Sequence, residues 1–251
     1  MQKNLNTKVL GKSGFSFSSL DSTSTYIRSV WTNLPDGHTV SADEQQSGRG
    51  RTGKSFYSPK SSGLYFSCLL KEDKYISDPL FTVKISYALL CAIDEITGTE
   101  SASIKWVNDI YAGQKKVAGI LCEFVKDGDN RAIIMGIGVN LSFNKGEAPQ
   151  ELRNIVGGLE NIARKKYSRE ELMAKILNHI ERIYSGEVAN EEFLSLYRKR
   201  SAVLGREINV IKPDGTHRAA ALDIMEDAGL LVRYENGYSE KLTAGEISIV
   251  L

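Results

Sequence analysis

The chain has 251 residues, 41% of them hydrophobic and 25% charged, with a formal net charge of +1. That composition supports the packed core of one large domain, alone or with a small second one. The balanced charge excludes a global pull toward nucleic acid or an anionic membrane, so a basic cluster marks a local site.

Residues 1–6 hold no apolar run of the kind that opens a signal peptide, and no stretch approaches the roughly 18 apolar residues of a membrane span. A cytoplasmic protein is expected. Residues 1–21 read as a lead-in and a first strand. Ser22-Thr23-Ser24-Thr25 opens a short helix through Tyr26, Ile27 and Val30, with a hydroxyl residue as N-cap. Thr39-Val40-Ser41-Ala42 is a short strand, and residues 64–70 alternate as another. Cys68, Cys91 and Cys122 are scattered, odd in number and set in apolar sequence, as buried free thiols in a reducing compartment would be. His38, His179 and His217 stand alone, without the spacing of zinc ligands.

Asp78-Pro79 starts a long helix, with Asp as N-cap and Pro at the first helical position. Leu80, Val83, Tyr87, Leu90 and Ile93 form its apolar face, and Gly98 ends it. Ile104-Lys105-Trp106-Val107 and residues 116–124 are expected strands, joined through residues 108–115 with a turn at Ala112-Gly113-Gln114. Asp127-Gly128-Asp129-Asn130 turns the chain again. It leads into the near-continuous apolar run 131–139, a central strand. Three consecutive strands are therefore expected after the first long helix.

Ser168-Arg169-Glu170-Glu171 is a capping box. It opens a second long helix with Leu172, Ile176, Ile180 and Ile183 inward and Gly186 as its stop. Asn190 caps a third helix that buries Phe193, Leu194 and Tyr197. From Gly205 onward, short strands recur at about ten-residue spacing, turning at Pro213-Asp214-Gly215, Asp227-Ala228-Gly229 and Glu235-Asn236-Gly237. The expected architecture is α+β: a domain at 1–204 with helices on a mixed, mostly antiparallel sheet, then a small β-barrel of about five strands at 205–251.

Residues 48–55 read Gly-Arg-Gly-Arg-Thr-Gly-Lys-Ser. This is a formal match to the phosphate-binding pattern G-x-x-x-x-G-K-[ST]. A P-loop, however, must enter a helix whose N-terminus meets the phosphates. Phe56-Tyr57-Ser58-Pro59-Lys60-Ser61-Ser62-Gly63 is no helix. An apolar run ending in Asp, needed for a magnesium-holding strand, is also missing. The alternative is an anion-binding loop in which glycines allow close approach and Arg49 and Arg51 offer forked donors.

Other polar residues gather beside glycines at Ser22-Thr23, at Gln45, at Lys105-Trp106-Val107-Asn108-Asp109, and at Lys115-Lys116-Val117-Ala118-Gly119-Ile120 followed by Gly136-Ile137-Gly138-Val139-Asn140. Asn108 and Asp109 offer hard oxygens to magnesium. Lys116 offers a point charge to the same anion. Gly119, Gly136 and Gly138 leave room for something flat against the sheet. Each has a plainer reading beside it. Arg49, Arg51 and Lys54 suit a solvated turn, Asn108-Asp109 suits hairpin chemistry, and the glycines suit a bulge. Lys116 suits a blunted strand edge, Trp106 suits the core, and Ser22 and Thr23 suit a helix cap.

Taken together, these segments resemble biotin protein ligases. That family's pattern runs Asp-Ser-Thr, Gln-x-x-Gly-Arg-Gly-Arg-x-Gly, Lys-Trp-Pro-Asn-Asp, Lys-x-x-Gly-Ile-Leu-x-Glu and Gly-x-Gly-x-Asn. Here it stands in the same order as Asp21-Ser22-Thr23, residues 45–53, Lys105-Trp106-Val107-Asn108-Asp109, residues 116–123 and residues 136–140, and Gly245-Glu246-Ile247-Ser248 also matches. The resemblance covers nearly the whole chain from about residue 20 onward.

The resemblance implies a catalytic domain similar to class II aminoacyl-tRNA synthetases, plus the C-terminal β-barrel. It implies that biotin and ATP form biotinyl-5'-AMP and diphosphate, and that biotin then passes to a lysine of a biotin carboxyl carrier protein. By position, Ser22, Thr23, Ser24, Gln45, Arg49, Gly50, Arg51 and Lys116 would hold biotin, with Gly119, Ile120, Leu121, Gly136 and Gly138 beside its ring. Arg49, Arg51, Lys54, Phe56, Asn108, Asp109, Lys116 and Asn140 would serve ATP and the adenylate. Asn108 and Asp109 would hold Mg2+, and the catalytic set would be Arg49, Arg51, Lys116 and Asp109.

The sequence departs from the family at Val107, where the family has Pro. Lys54-Ser55-Phe56 also replaces a frequent Arg-Trp pair. About 20 residues precede Ser22, too few for the helix-turn-helix domain of the repressor-type members, so transcriptional repression is not expected. The balanced charge and the lack of an apolar span make neither nucleic acid nor membrane an expected partner. Family members include monomers and homodimers. Two further readings stay open here: a lipoyl or other acyl ligase of the same fold, and a non-catalytic biotin-binding regulatory module. The reaction itself needs no serine or cysteine nucleophile, because biotin's carboxylate attacks the α-phosphorus while the protein supplies position and positive charge.

Overall fold

A computed structural model of the chain describes residues 4–243 and 245–249. Residues 1–3, 244 and 250–251 lie outside that description, and with them the outer ends of the expected spans 1–204 and 205–251. In chain order the elements are β1 (Gly14–Phe17), α1 (Thr23–Val30), β2 (Thr39–Ala42), β3 (Gly63–Leu70), α2 (Asp73–Ile76), α3 (Phe81–Thr97), β4 (Ala102–Lys105), β5 (Asp109–Ala112), β6 (Lys115–Asp127) and β7 (Asn130–Asn140). There follow α4 (Leu159–Ala163), α5 (Arg169–Tyr184), α6 (Asn190–Lys199), β8 (Glu207–Lys212), β9 (Gly215–Ile224), β10 (Leu230–Tyr234), β11 (Ser239–Leu242) and β12 (Glu246–Ile249).

Seven strands form one sheet in the order β1-β2-β3-β7-β6-β5-β4. Its β1–β2 pair is parallel and the other pairs are antiparallel. The second sheet runs β11-β10-β9-β8-β12 with every pair antiparallel. The architecture is therefore the expected α+β one: helices on a mixed, mostly antiparallel sheet, followed by a small all-β unit. No helix among the described residues is long and apolar enough to cross a membrane.

Strand alternation divides the large sheet into two faces. Phe66, Cys68, Ile120, Met135, Ile137 and Val139 join α3 and α5 residues such as Leu89 and Ile176 in the main core. The opposite face carries Val40, Leu69, Val125, Ala132 and Ile134, which pack under Ile27 and Trp31 of the α1 region. α1 covers only part of that face. The rest, toward Gly119 and Gly138, is covered by the glycine- and arginine-rich loop.

The helix ends follow their chemistry. Ser22 caps α1 and its Oγ accepts from Thr25 N at 3.5 Å. Ser168 Oγ accepts from Glu171 N at 3.2 Å at the start of α5. α3 stops at Gly98, whose φ of 70° is left-handed and disfavours other residues.

Several boundaries differ from expectation. α3 starts at Phe81, because Asp78 spends its Oδ1 on Leu80 N at 2.9 Å in a turn ahead of the helix. α6 starts at Asn190 itself, with Ala189 at the cap position. The expected strand at Ile104-Lys105-Trp106-Val107 ends at Lys105, and Trp106-Val107-Asn108 is a turn. The stretch read as a connector contains β5, so four strands follow α3. β3 does not alternate in exposure, since both of its faces are covered. The thiols are free: Cys68 is buried, and Cys91 and Cys122 are partly exposed. Burial pushes Cys91 up to about 11 and Cys122 up to about 12, which keeps both protonated at neutral pH.

Candidate active site

Strand register assembles the polar candidates in rows across one face. Lys105 pairs with Asp109, Asp109 with Gly119, Gly119 with Gly138, and Gly138 with Tyr65. One row deeper, Leu121 pairs with Gly136 and Gly136 with Ser67. Four segments distant in sequence thus meet through backbone pairing alone. Next to Ser67 lies the start of α1. Thr23 Oγ1 is 2.8 Å from Ser67 Oγ, and Thr23 N and Oγ1 both donate to Gln45 Oε1, at 2.9 and 3.2 Å. Gln45 Nε2 donates to Ser58 Oγ at 2.9 Å. Ser22 and Ser24 face each other at 3.0 Å and are buried, as are Thr23, Ser58 and Ser67. This is a polar pocket floor whose hydroxyls satisfy one another, as buried hydroxyls must.

The loop at 48–56 lies over these rows. Gly48 is required by close approach: a Cβ there would stand 2.3 Å from Phe56 O. Gly50 N donates to Lys54 O at 2.7 Å and Phe56 N to Gly48 O at 2.8 Å, which folds the loop back on itself. A three-residue 3-10 turn over Arg51–Gly53 replaces any helix after Ser55, so the P-loop reading is excluded.

Arg49 forks onto both oxygens of Glu123, at 2.9 and 2.7 Å, and Arg28 of α1 reaches the same carboxylate at 2.9 Å. Arg51 donates to Asn108 Oδ1 at 2.9 Å and to Gly245 O at 3.1 Å. Lys54 pairs with Glu246 on β12. The Phe56 ring rests on the glycines: a Cβ on Gly138 would lie 2.5 Å from it, and one on Gly119 would lie 3.3 Å away. The flat space expected over those two glycines is therefore filled by Phe56.

Asn108 is fixed from both sides. Its Nδ2 donates to Ile120 O at 2.7 Å, and Ile120 N donates to Asn108 O at 3.0 Å. Asp109 opens β5, within the stretch 108–115 expected only to join two strands. Its Oδ1 is buried, and the Lys116 ammonium stands 2.7 Å away without hydrogen-bond alignment. Such a carboxylate oxygen has room in its coordination for a further cation. Among the described residues no group of three or more His, Cys, Asp or Glu side chains converges as a metal cage. A cation here would need oxygens from a bound phosphate, as Mg2+ commonly does.

The structure places two candidates differently from the rest. The Ile120 side chain points into the helix-side core, so its contribution is its main chain. Asn140 is buried at the end of β7, on the same face as Gly136 and Gly138 and one row beyond Gly138, paired with Gly63, and no side-chain hydrogen bond joins it to the other candidates among the described residues.

Four further residues had no role in the sequence reading. Ser58 and Ser67 complete the Gln45–Thr23 network. Glu123 holds Arg49, and its place as the last residue of the Lys-x-x-Gly-Ile-Leu-x-Glu segment was the signal that it matters. Lys105 lies directly across from Asp109. Burial lowers its pKa from the usual lysine value, partly opposed by Asp109.

The chain is similar to known proteins over most of its length. A sequence model of the Biotin/lipoate A/B protein ligase family matches residues 16–140. The solved biotin protein ligase from Aquifex aeolicus in complex with biotin and ATP is 30% identical, covers 95% of this chain and 99% of its own, and superposes with a TM-score of 0.81. The bifunctional ligase/repressor BirA of Bacillus subtilis (strain 168) is 29% identical over 250 residues, 98% of this chain and 76% of that protein. The biotin--[acetyl-CoA-carboxylase] ligase of Mycobacterium tuberculosis is 24% identical over 84% of this chain and 79% of its own.

Proposed function

The chain belongs to the biotin protein ligase family, and we propose that it activates biotin with ATP and passes it to a lysine of a biotin carboxyl carrier protein. The fold is the class II aminoacyl-tRNA synthetase-like catalytic domain with a C-terminal β domain. The observation that carries the reading for this chain is a pair of adjacent rows under an arginine loop: Lys105–Asp109–Gly119–Gly138, charged at one end and covered at its glycines by Phe56, and Leu121–Gly136–Ser67, with room at Gly136.

In this reading biotin's ring lies in the deeper row, against Gly136 and the Gly119–Leu121 main chain, with Thr23, Ser22, Ser24 and Gln45 at its polar edge. Its carboxylate points toward Lys116, and ATP enters above the Asn108–Asp109 corner. The carboxylate oxygen attacks the α-phosphorus. The bond from that phosphorus to the bridging oxygen breaks, and diphosphate leaves. Arg49, Arg51, Lys105 and Lys116 stabilise the charge that develops on the phosphates. Lys54 and Phe56 line the same end, and Asn140 lies toward the adenosine. Asp109 and Asn108 would hold Mg2+, which when bound offsets phosphate charge. The acceptor lysine amine then attacks the carbonyl carbon of the mixed anhydride, forming the amide and releasing AMP. The loop must exclude water until then, because the anhydride hydrolyses.

The arrangement predicts diphosphate release that requires biotin, and transfer of labelled biotin to a carrier domain. Equal turnover of ATP with lipoate or octanoate would overturn the assignment of biotin.

A further inference from the structure

The turn between β4 and β5 carries Asn108 and leads into Asp109, and the carbonyl just ahead of them, that of Val107, is held from behind. Tyr197 on α6 donates its hydroxyl to Val107 O at 3.2 Å. Ser86 on α3 has its Oγ 2.9 Å from Val107 O and 2.9 Å from Thr82 O, so its single proton is shared between the two carbonyls. Both side chains are fully buried. Packing does not call for either hydroxyl. A phenyl ring would fill the Tyr197 space, and a hydroxyl buried without a partner is costly. A serine inside a helix ordinarily bonds only the carbonyl one turn back, whereas Ser86 also reaches a carbonyl on another element.

Fixing Val107 O fixes the plane of the Val107–Asn108 peptide, and with it the direction in which the Asn108 side chain leaves. That side chain accepts from Arg51 at 2.9 Å and donates to Ile120 O at 2.7 Å. We propose that Tyr197 and Ser86 are positioning residues for the adenylate-forming step, holding the Val107–Asn108 peptide so that Asn108 and Asp109 face the phosphates. This rests on the reading above that Asn108 and Asp109 serve the phosphate end. Burial, reinforced by the charge of Asp109, raises the Tyr197 pKa and so keeps its hydroxyl a donor.

The test compares Tyr197→Phe, Ser86→Ala and the double variant in biotin-dependent diphosphate release, titrating ATP and biotin separately. Loss of one aligned hydrogen bond should raise KM for ATP about five- to tenfold in Tyr197→Phe, while KM for biotin stays within about twofold. The double variant should lose more than the product of the single effects, because either donor left alone still serves the Val107 carbonyl and only the double variant leaves that buried acceptor without a partner. Tyr184→Phe is the control. It removes a partly buried hydroxyl bond elsewhere in the domain, the 2.9 Å contact to Asp78, and should lower thermal stability without moving either KM. Should Tyr197→Phe behave like Tyr184→Phe, or raise both KM values equally, the positioning role is wrong. Wild-type protein that releases no diphosphate with biotin would overturn the ligase reading and this inference with it.

Discussion

Gly136 and Gly138 sit two residues apart on β7 and share a face, yet their surroundings differ. A Cβ on Gly138 would lie 2.5 Å from the Phe56 ring, whereas one on Gly136 would find nothing nearer than Leu121 O at 3.4 Å and Ser67 Oγ at 3.5 Å. Gly136→Ala therefore has room for its methyl. By backbone entropy alone it should stabilise the strand by about 0.5–1 kcal/mol. Its methyl would nonetheless project into the space assigned to biotin. The expected result is an unchanged or slightly raised Tm, with biotin affinity reduced about tenfold or more, a difference near 1.4 kcal/mol. Gly138→Ala should instead displace Phe56 and lower both stability and affinity. Calorimetric biotin titration beside thermal melting of the two variants separates these outcomes. Full biotin affinity in Gly136→Ala would remove that row from the biotin site.

At the scale of elements, the loop at 48–56 is held down by surface ion pairs, Arg49–Glu123 and Lys54–Glu246, and by Arg51 on Asn108 and Gly245. The side chains of Arg49 and Lys54 are 40% and 62% exposed, so each pair is worth little and is screened by salt. Raising the ionic strength from about 0.1 M to about 1 M shortens the Debye length from roughly 10 Å to roughly 3 Å. Tryptic cleavage after Arg49, Arg51 and Lys54 should then accelerate relative to cleavage after Lys145, an exposed residue outside these pairs. Biotin with ATP should restore protection. Cleavage indifferent to both salt and ligands would mean that the loop is no clamp.

The long elements were legible in the sequence because their patterns are strong: Ser22 and Ser168 as caps, Gly98 and Gly186 as stops, and the apolar run of β7. β5 was not. Its four residues lie between turn formers at Asn108 and Gly113, too short a stretch to show a period. α2 and α4 are hidden for the same reason. The candidate site was legible as residue types in order. The rows were not, because they follow from register across strands far apart in sequence, and neither Lys105 opposite Asp109 nor Phe56 over Gly138 leaves a local trace.

The second sheet is joined to the rest of the molecule through the corner that bears Asn108. Trp106 Nε1 donates to Ala228 O at 2.8 Å, from a buried position in a core that runs without interruption from α3 through Tyr197 and Val203 to Ile208, Ile224 and Leu230. Arg198 on α6 adds a hydrogen bond to Ile224 O at 2.6 Å. Ala228 takes a left-handed φ of 61°, unfavourable for a residue with a Cβ, at the tip of the turn that meets the indole. A continuous core predicts that both sheets unfold in one cooperative transition. Trp106→Phe keeps most of the packing but leaves the Ala228 carbonyl without its donor, a loss of about 1–3 kcal/mol. For a chain of this size that corresponds to roughly 2–4 °C in Tm per kcal/mol. Because the turn at 106–108 loses one of its anchors, KM for ATP should rise in the same variant while biotin binding is retained. Differential scanning calorimetry together with separate ATP and biotin titrations measures all three effects. Two resolved transitions in the wild-type protein, or a variant that loses biotin as readily as ATP, would show that the second sheet does not brace the phosphate end of the site.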